Sequence, residues 1–318
     1  MADGFTEFEL IDLLKAGATG SARLRTGIGD DAAVTVPGGA TATSVDAIVE
    51  GVHFRREWSP PGAIAQKAVA SALSDLAAMG AEAGEIYVTL GVPRGTDSGF
   101  LTGLAEGFQR AAGLFGVVLA GGDTVSSPTL FVSVAVVGHG ATEERFVLRS
   151  GAAPGDLVAV TGELGGAAAG HWLLHRNPAE LSPEHLALVE RQLRPEPRIA
   201  AGLALAEAGA SAMIDVSDGL MADLAHIAAA SGVTIEVEPD SVPVQAGVGE
   251  IAAAAGGTLA DLALAGGEDY ELAVTIPAAR FEAARDALQE LGLPLTEVGT
   301  VGSGSGVEPA LTGFDHLS

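Results

Sequence analysis

Six aspartates in this chain stand where a carboxylate is costly. Asp30 follows Gly29 in GIGDD, Asp46 sits in SVDAIV, Asp75 in ALSDLAAMG, and Asp123 ends VVLAGGD. Asp215 and Asp218 share AMIDVSDGL. Each is embedded in apolar sequence or set beside glycine, where an unpaired carboxylate loses its hydration without compensation. Any one of them is explained by a helix cap or a turn, and Asp218, just before a helix start, is such a case. Six in one chain point to a shared purpose. Oxygen-only ligands, with no cysteine and few histidines, suit Mg²⁺ rather than zinc. The two glycines before Asp123 would let backbone N–H groups approach an anion, although a plain turn explains GGD equally well. Glu268 and Asp269, in LAGGEDYEL, repeat the glycine–acid pattern, with a turn feeding a strand as the simpler alternative.

Periodicity assigns faces to some of these groups. If TSVDAI is a strand, Ser44 and Asp46 share one side while Val45 and Ala47 take the other. On a helix over 62–79, Lys67, Ser71 and Asp75 recur at i, i+4; Lys67 and Ser71 read as a solvated stripe rather than as ligands. His53, in EGVHF, reads as a packed loop residue. The signatures S-x-x-K, G-x-S-x-G and H-E-x-x-H are missing, so nucleophilic-serine and zinc-hydrolase chemistry has no support. Lys15 and Lys67 are the only lysines and no GxxxxGK[ST] run exists, so phosphate handling would fall to metal ions on carboxylates.

The elements that must position these acids alternate along the chain. At 318 residues, two domains are expected; 48% hydrophobic and 18% charged residues describe a globular chain with a sizeable core. A net charge of −25 argues against a nucleic-acid surface. The first residues lack a secretion signal, and no apolar run is long enough for a membrane span, so a cytoplasmic protein is expected. Phe5, Phe8, Leu10, Ile11 and Leu14 predict a short amphipathic helix. Strand-like AAVTVPGG and TATSVDAIV follow, then a helix over PPGAIAQKAVASALSDLAAMG, a strand EIYVTLGVP, a helix DSGFLTGLAEGFQRAAGLFG, and strands VVLAGGDTV and TLFVSVAVVGHG. The pattern is interrupted near 140–155, giving domains 1–142 and 143–318. Beyond it, strand LVAVTG leads into alanine-rich helices. SAMIDVSDGLMADLAHIAAASG reads strand, turn, helix; YELAVTIP is a strand, ARFEAARDALQELG a helix, and GSGSG a flexible connection. Strands and helices mix in both halves, so the class is α/β or α+β in two domains.

Taken in order, GIGDDAAV, SVDAIVEGVHF, KAVASALSDLAAMGA, GGDTV, RSGAAPGD, MIDVSDGL, GGEDYEL and the terminal GFDH resemble the thiamine-monophosphate kinase family. Each piece is modest, but the ordered set spans nearly the whole chain. The wider superfamily includes aminoimidazole ribonucleotide synthetase, selenophosphate synthetase and a hydrogenase maturation factor, and the absence of cysteine disfavours the last two. The resemblance implies transfer of the ATP γ-phosphoryl group onto thiamine monophosphate with several Mg²⁺ ions. It also implies a homodimer in which a ferredoxin-like N-terminal domain pairs its sheet across subunits, an α/β C-terminal domain, and an active cleft between the halves. By position, Asp30, Ser44, Val45, Asp46, Asp75, Asp123, Asp215 and Asp218 are similar to the family's metal ligands. Gly122, Asp123, Arg149 and Ser217 match its ATP contacts, and His53, Glu268 and Phe314 its substrate side. Val45 and Ala47 stand where the family usually has Thr; Val45 can serve through its backbone carbonyl but not through a hydroxyl. Two other readings are another ATP-dependent synthetase of the superfamily and a non-catalytic Mg-nucleotide-binding protein.

Overall fold

The structure, a computed structural model, describes residues 6–18, 20–29, 32–176 and 180–310. The chain divides into two compact units. One holds Met1–Leu76 and Glu82–Glu143, the other Ala77–Ala81 and Glu144–Ser318.

In the first unit, α1 (Glu7–Ala16) opens with a capping box, Thr6 and Glu9 each satisfying the other's backbone N–H. There follow β1 (Leu24–Thr26), β2 (Val34–Thr35), β3 (Ala40–Val49), α2 (Pro61–Ala78), β4 (Glu82–Val92), α3 (Ser98–Phe115), β5 (Val118–Ser126) and β6 (Phe131–Gly140). Four strands make one sheet in the order β3-β6-β4-β5, with only β4/β5 parallel. Residues directly opposite one another share a face. Ser44 lies opposite Val136 and Asp46 opposite Val134, both fully buried, so these two polar residues face the enclosed side. Val45, opposite Ala135, faces the other way and is 64% exposed.

Lys67 and Ser71 do not form a solvated stripe; each is 3% exposed. Their i, i+4 spacing defines a helix face but not what covers it, and α2 buries Ala63, Ile64, Ala68, Val69, Leu73 and Leu76 around them. Inside, Lys67 Nζ donates to the His53 carbonyl at 3.1 Å and Ser71 Oγ to that of Ala68 at 3.2 Å.

The second unit runs β7 (Asp156–Thr161), α4 (Gly166–Arg176), α5 (Pro183–Leu193), α6 (Ile199–Ala208), β8 (Ala212–Asp215), α7 (Leu220–Ser231) and β9 (Val233–Val237). It continues with α8 (Val248–Ala255), α9 (Leu259–Ala263), β10 (Leu272–Pro277), α10 (Ala278–Glu290), β11 (Leu295–Ser303) and β12 (Gly306–Glu308). Its sheet has the order β12-β9-β11-β7-β10-β8, antiparallel except for β12/β9. Alternate strand residues enter two cores. Val158, Val160 and Ile214 pack with Leu220, Leu224 and Ile227 of α7, while Ala159, Met213, Val274 and Ile276 pack with Leu205 of α6 and Phe281 and Leu288 of α10. A sheet covered on both faces explains why its strands read as continuous apolar runs. GSGSG is not a loose connection. Gly302 and Ser303 end β11, Gly306 begins β12, and the turn uses left-handed φ at Gly304 and Gly306. It is ordered because β12 has a partner of its own, Val307 lying opposite Ile235 of β9.

Among the described residues no helix is long and apolar enough to cross a membrane.

Candidate active site

Strand β3 and helix α2 bring Asp75 against Ser44. Ser44 Oγ donates to Asp75 Oδ2 at 2.5 Å, and Asp46, two residues along the same face, accepts its neighbour Ala47 N–H at 2.7 Å. Asp123 is not gathered with them. It lies opposite Thr89, in the row that continues through Ser133 to Ala47, which is the other face of the sheet. Its Oδ1 accepts the Thr124 N–H at 2.8 Å, and both it and Gly122 are exposed. Gly122 is required by packing: at φ 156°, a Cβ would come within 1.9 Å of the Val88 carbonyl oxygen. His53 keeps a packed loop geometry. The Val49 N–H donates to its Nδ1 at 3.0 Å, which leaves that nitrogen unprotonated and the ring proton on Nε2. Asp30 lies outside the described residues.

In the second unit, β8 ends at Asp215, opposite Leu272 of β10, and the pairing runs on past both strands. Val216 N–H donates to the Glu271 carbonyl at 2.7 Å, Tyr270 N–H to that of Val216 at 2.8 Å, and Glu268 N–H to that of Ser217 at 2.8 Å. This ladder joins Asp215, Ser217 and Asp218 to the loop that carries Glu268. The approach is so close that a Cβ on Gly267 would lie 2.3 Å from the Ser217 carbonyl oxygen. Arg149 is exposed, and its carbonyl accepts from Ser231 Oγ at 3.2 Å. Phe314 lies outside the described residues.

The loop itself is strained and clamped. Glu268 and Tyr270 hold left-handed φ values of 67° and 51°, a conformation that costs a non-glycine residue free energy. Asp269 between them accepts N–H bonds from Gly165 at 2.6 Å and Ala167 at 3.0 Å, at the start of α4. Burial pushes its pKa up to about 6, against the downward pull of Arg191 and the two N–H groups. Glu271, 0% exposed, accepts from Thr161 Oγ1 at 2.5 Å, Arg191 Nη2 at 2.5 Å, and Arg198 Nε and Nη2 at 2.9 and 2.6 Å. Arg191 Nη2 also donates to the Asp269 carbonyl at 3.0 Å, and Gln192 Nε2 to Glu268 Oε2 at 2.6 Å.

Reading the sequence missed Arg191, Gln192, Arg198, Asp223 and Glu271. For Glu271 there was a signal, an acid inside the apolar strand YELAVTIP; for Asp223 there was another, an acid in the first turn of the helix after SDGL. Among the described residues no group of three or more His, Asp or Glu side chains is gathered to hold a metal ion. Mg²⁺ commonly takes one or two carboxylates and completes its shell with substrate phosphates and water, and the Ser44–Asp75 pair offers oxygen donors of that kind.

Residues 29–139 match the family described as AIR synthase related protein, N-terminal domain, and residues 153–311 match its C-terminal domain. The thiamine-monophosphate kinase of Mycobacterium tuberculosis is 41% identical over 268 residues, covering 84% of this chain and 79% of that one. The chain belongs to the thiamine-monophosphate kinase family. A crystal structure of the thiamine-monophosphate kinase from Stenotrophomonas maltophilia matches with a TM-score of 0.85 at 37% identity, covering 95% of this chain and 96% of that one. AaThiL complexed with AMPPCP and TMP matches with a TM-score of 0.81 at 34% identity, over 98% and 97% of the two chains. At 95% coverage of this chain, the likeness to a thiamine-monophosphate kinase extends over both units.

Proposed function

We propose that this chain transfers the γ-phosphoryl group of ATP onto the phosphate of thiamine monophosphate, giving thiamine diphosphate and ADP. The observation that carries the reading is the likeness, over nearly both full chains, to AaThiL complexed with AMPPCP and TMP. The acceptor is a phosphate monoester with a second pKa of about 6, so it is mostly dianionic at neutral pH and needs no general base. One of its oxygens forms the new bond to the γ-phosphorus as the bond to the β,γ-bridging oxygen breaks and ADP leaves, in one in-line step without a phosphoenzyme. The obstacle is repulsion between two polyanions, and bound Mg²⁺ would supply the charge that offsets it.

Asp30, Ser44, Asp46, Asp75, Asp123, Asp215 and Asp218 would hold the metal ions. Val45 would contribute only its carbonyl, because its side chain lies on the face away from Ser44 and Asp46. Gly122, Asp123, Arg149 and Ser217 would contact ATP, Arg149 as a charged donor to phosphate. His53, Glu268 and Phe314 would contact thiamine monophosphate, Glu268 complementing its cationic ring and Phe314 stacking on it. A homodimer, with the first unit ferredoxin-like and its sheet pairing across subunits, belongs to the same reading. The exposed apolar side chains of Val45 and Val125, on one sheet face, support it. With ATP as co-substrate, the reaction is placed in the cytoplasm.

The test incubates purified protein with ATP, Mg²⁺ and thiamine monophosphate and follows thiamine diphosphate and ADP, expected in equal amounts and without labelled protein. ADP formed only with another acceptor would favour a different synthetase; tight nucleotide binding without product would favour a binding protein. Asp46→Asn should keep the far-UV circular dichroism spectrum and lower kcat by about 100-fold or more. Near-normal turnover would remove Asp46 from the site.

A further inference from the structure

The turn that carries Ser217 and Asp218 has no glycine-rich cradle of its own and lies at the N-terminal end of α7. Three successive backbone N–H groups there converge on one internal atom. Asp223 Oδ2 accepts from Ser217 N at 3.0 Å, Asp218 N at 3.1 Å and Gly219 N at 3.1 Å. Asp223 is 2% exposed, so water does not compete for these bonds. Gly219 sits at φ 115°, where a Cβ would come within 2.8 Å of the Ala265 backbone, so the turn has little freedom to take another path.

We infer that Asp223 is a positioning residue for phosphoryl transfer: its carboxyl oxygen gathers the 217–219 N–H groups and so sets where Ser217 and Asp218 present themselves to the nucleotide and its metal. The inference rests on the assignment of those two residues to ATP and metal binding. Converging N–H groups form a concavity that attracts anions. In this turn an oxygen of the protein's own Asp223 carboxyl group fills it, so those three N–H groups are held by Asp223 and the side chains of Ser217 and Asp218 are what the turn has left to offer. The Glu268 loop bonds to the Ser217 carbonyl but is also held from elsewhere, through Asp269 and Glu271 to Arg191, Arg198, Thr161 and the start of α4. Loss of Asp223 therefore falls on the nucleotide side more than on the acceptor side.

The experiment compares Asp223→Ala and Asp223→Asn with wild type, using the full chain, Mg²⁺, ATP and thiamine monophosphate, with rates referred to the folded fraction measured by circular dichroism. Asp223→Ala is expected to lower kcat/KM for ATP by about 100-fold, the scale of an ångström-sized misplacement, while KM for thiamine monophosphate changes less than about twofold. Asp223→Asn, which keeps an acceptor oxygen of the same shape, should recover at least about tenfold of that loss. Wild-type kcat/KM in folded Asp223→Ala, or equal losses on both substrates, overturns the inference, as does a loss fully explained by the unfolded fraction. Asp218→Asn is the control for the underlying assignment. If it turns over normally, the assignment of the turn to nucleotide and metal has failed; if it is impaired while Asp223→Ala is not, only the role of Asp223 has failed.

Discussion

Replacing Glu271 by alanine tests how the acceptor loop is held. The carboxylate is fully enclosed and takes four charge-assisted or hydroxyl hydrogen bonds, from Arg191, Arg198 twice, and Thr161. Alanine removes the anion and leaves two guanidinium groups, with side chains 16% and 18% exposed, facing each other in its place. Removing one partner of a buried ion pair costs about 3–5 kcal/mol, because the survivor's charge stays buried without compensation. In a unit of this size that corresponds to a melting temperature lower by about 6–20 °C. Glu271→Gln keeps the shape and an acceptor oxygen and should cost less, about 1.5–3 kcal/mol, the worth of a hydrogen bond to a charged group. The loop also stores about 1–3 kcal/mol at each of the left-handed residues Glu268 and Tyr270, and such strain persists only while the surroundings over-determine it. Below the melting transition, the alanine variant should therefore show a raised KM for thiamine monophosphate and a nearly unchanged KM for ATP. Urea unfolding and steady-state kinetics supply both readings. A destabilisation under about 1 kcal/mol, or an unchanged KM for the acceptor, would refute the clamp.

The pH dependence of stability should carry the signature of Asp269. Its folded pKa of about 6 lies above its ordinary value of 3.8, so the folded state holds this proton more tightly. The stabilisation it brings is greatest at low pH, declines as pH rises from about 4, and is gone once pH passes about 6. Wild type minus Asp269→Asn, measured by urea unfolding across that window, should fall by at most about 3 kcal/mol; a difference that rises with pH would contradict the burial argument. Val45→Thr restores the residue usual in the family but places its hydroxyl on the sheet face away from Ser44 and Asp46. Turnover and the Mg²⁺ concentration for half-maximal rate should stay within about twofold, and a tenfold gain in apparent Mg²⁺ affinity would show that the hydroxyl reaches a metal.

Much of this protein was legible before folding. The alternation in TSVDAI placed Ser44 and Asp46 on one face, because successive strand residues point opposite ways whatever surrounds them. The helices followed from apolar spacing with proline or cap residues at their starts and glycine at their ends, as at Asp97 and Gly116 of α3. The acids were conspicuous because charge in apolar sequence is rare. Lys67 and Ser71 went the other way: helical spacing names a face, but only packing decides whether solvent reaches it, and α2 is enclosed. GSGSG likewise acquired structure from β9, a partner about 70 residues earlier in the chain.

Local sequence thus determined the family, the elements and most of the acids, since periodicity, caps and ordered motifs are properties of neighbouring residues. Tertiary structure alone decided which acids meet. Pairing of β8 with β10 set Ser217 against the Glu268 loop, and the register across β3, β6, β4 and β5 put Asp123 on the face opposite Asp46. Folding also exposed the partners no motif announced: Asp223 beneath its turn, and Arg191 and Arg198 around Glu271. Those contacts join residues brought together by long-range strand pairing and core packing, and their energies exist only once water has been excluded from between them.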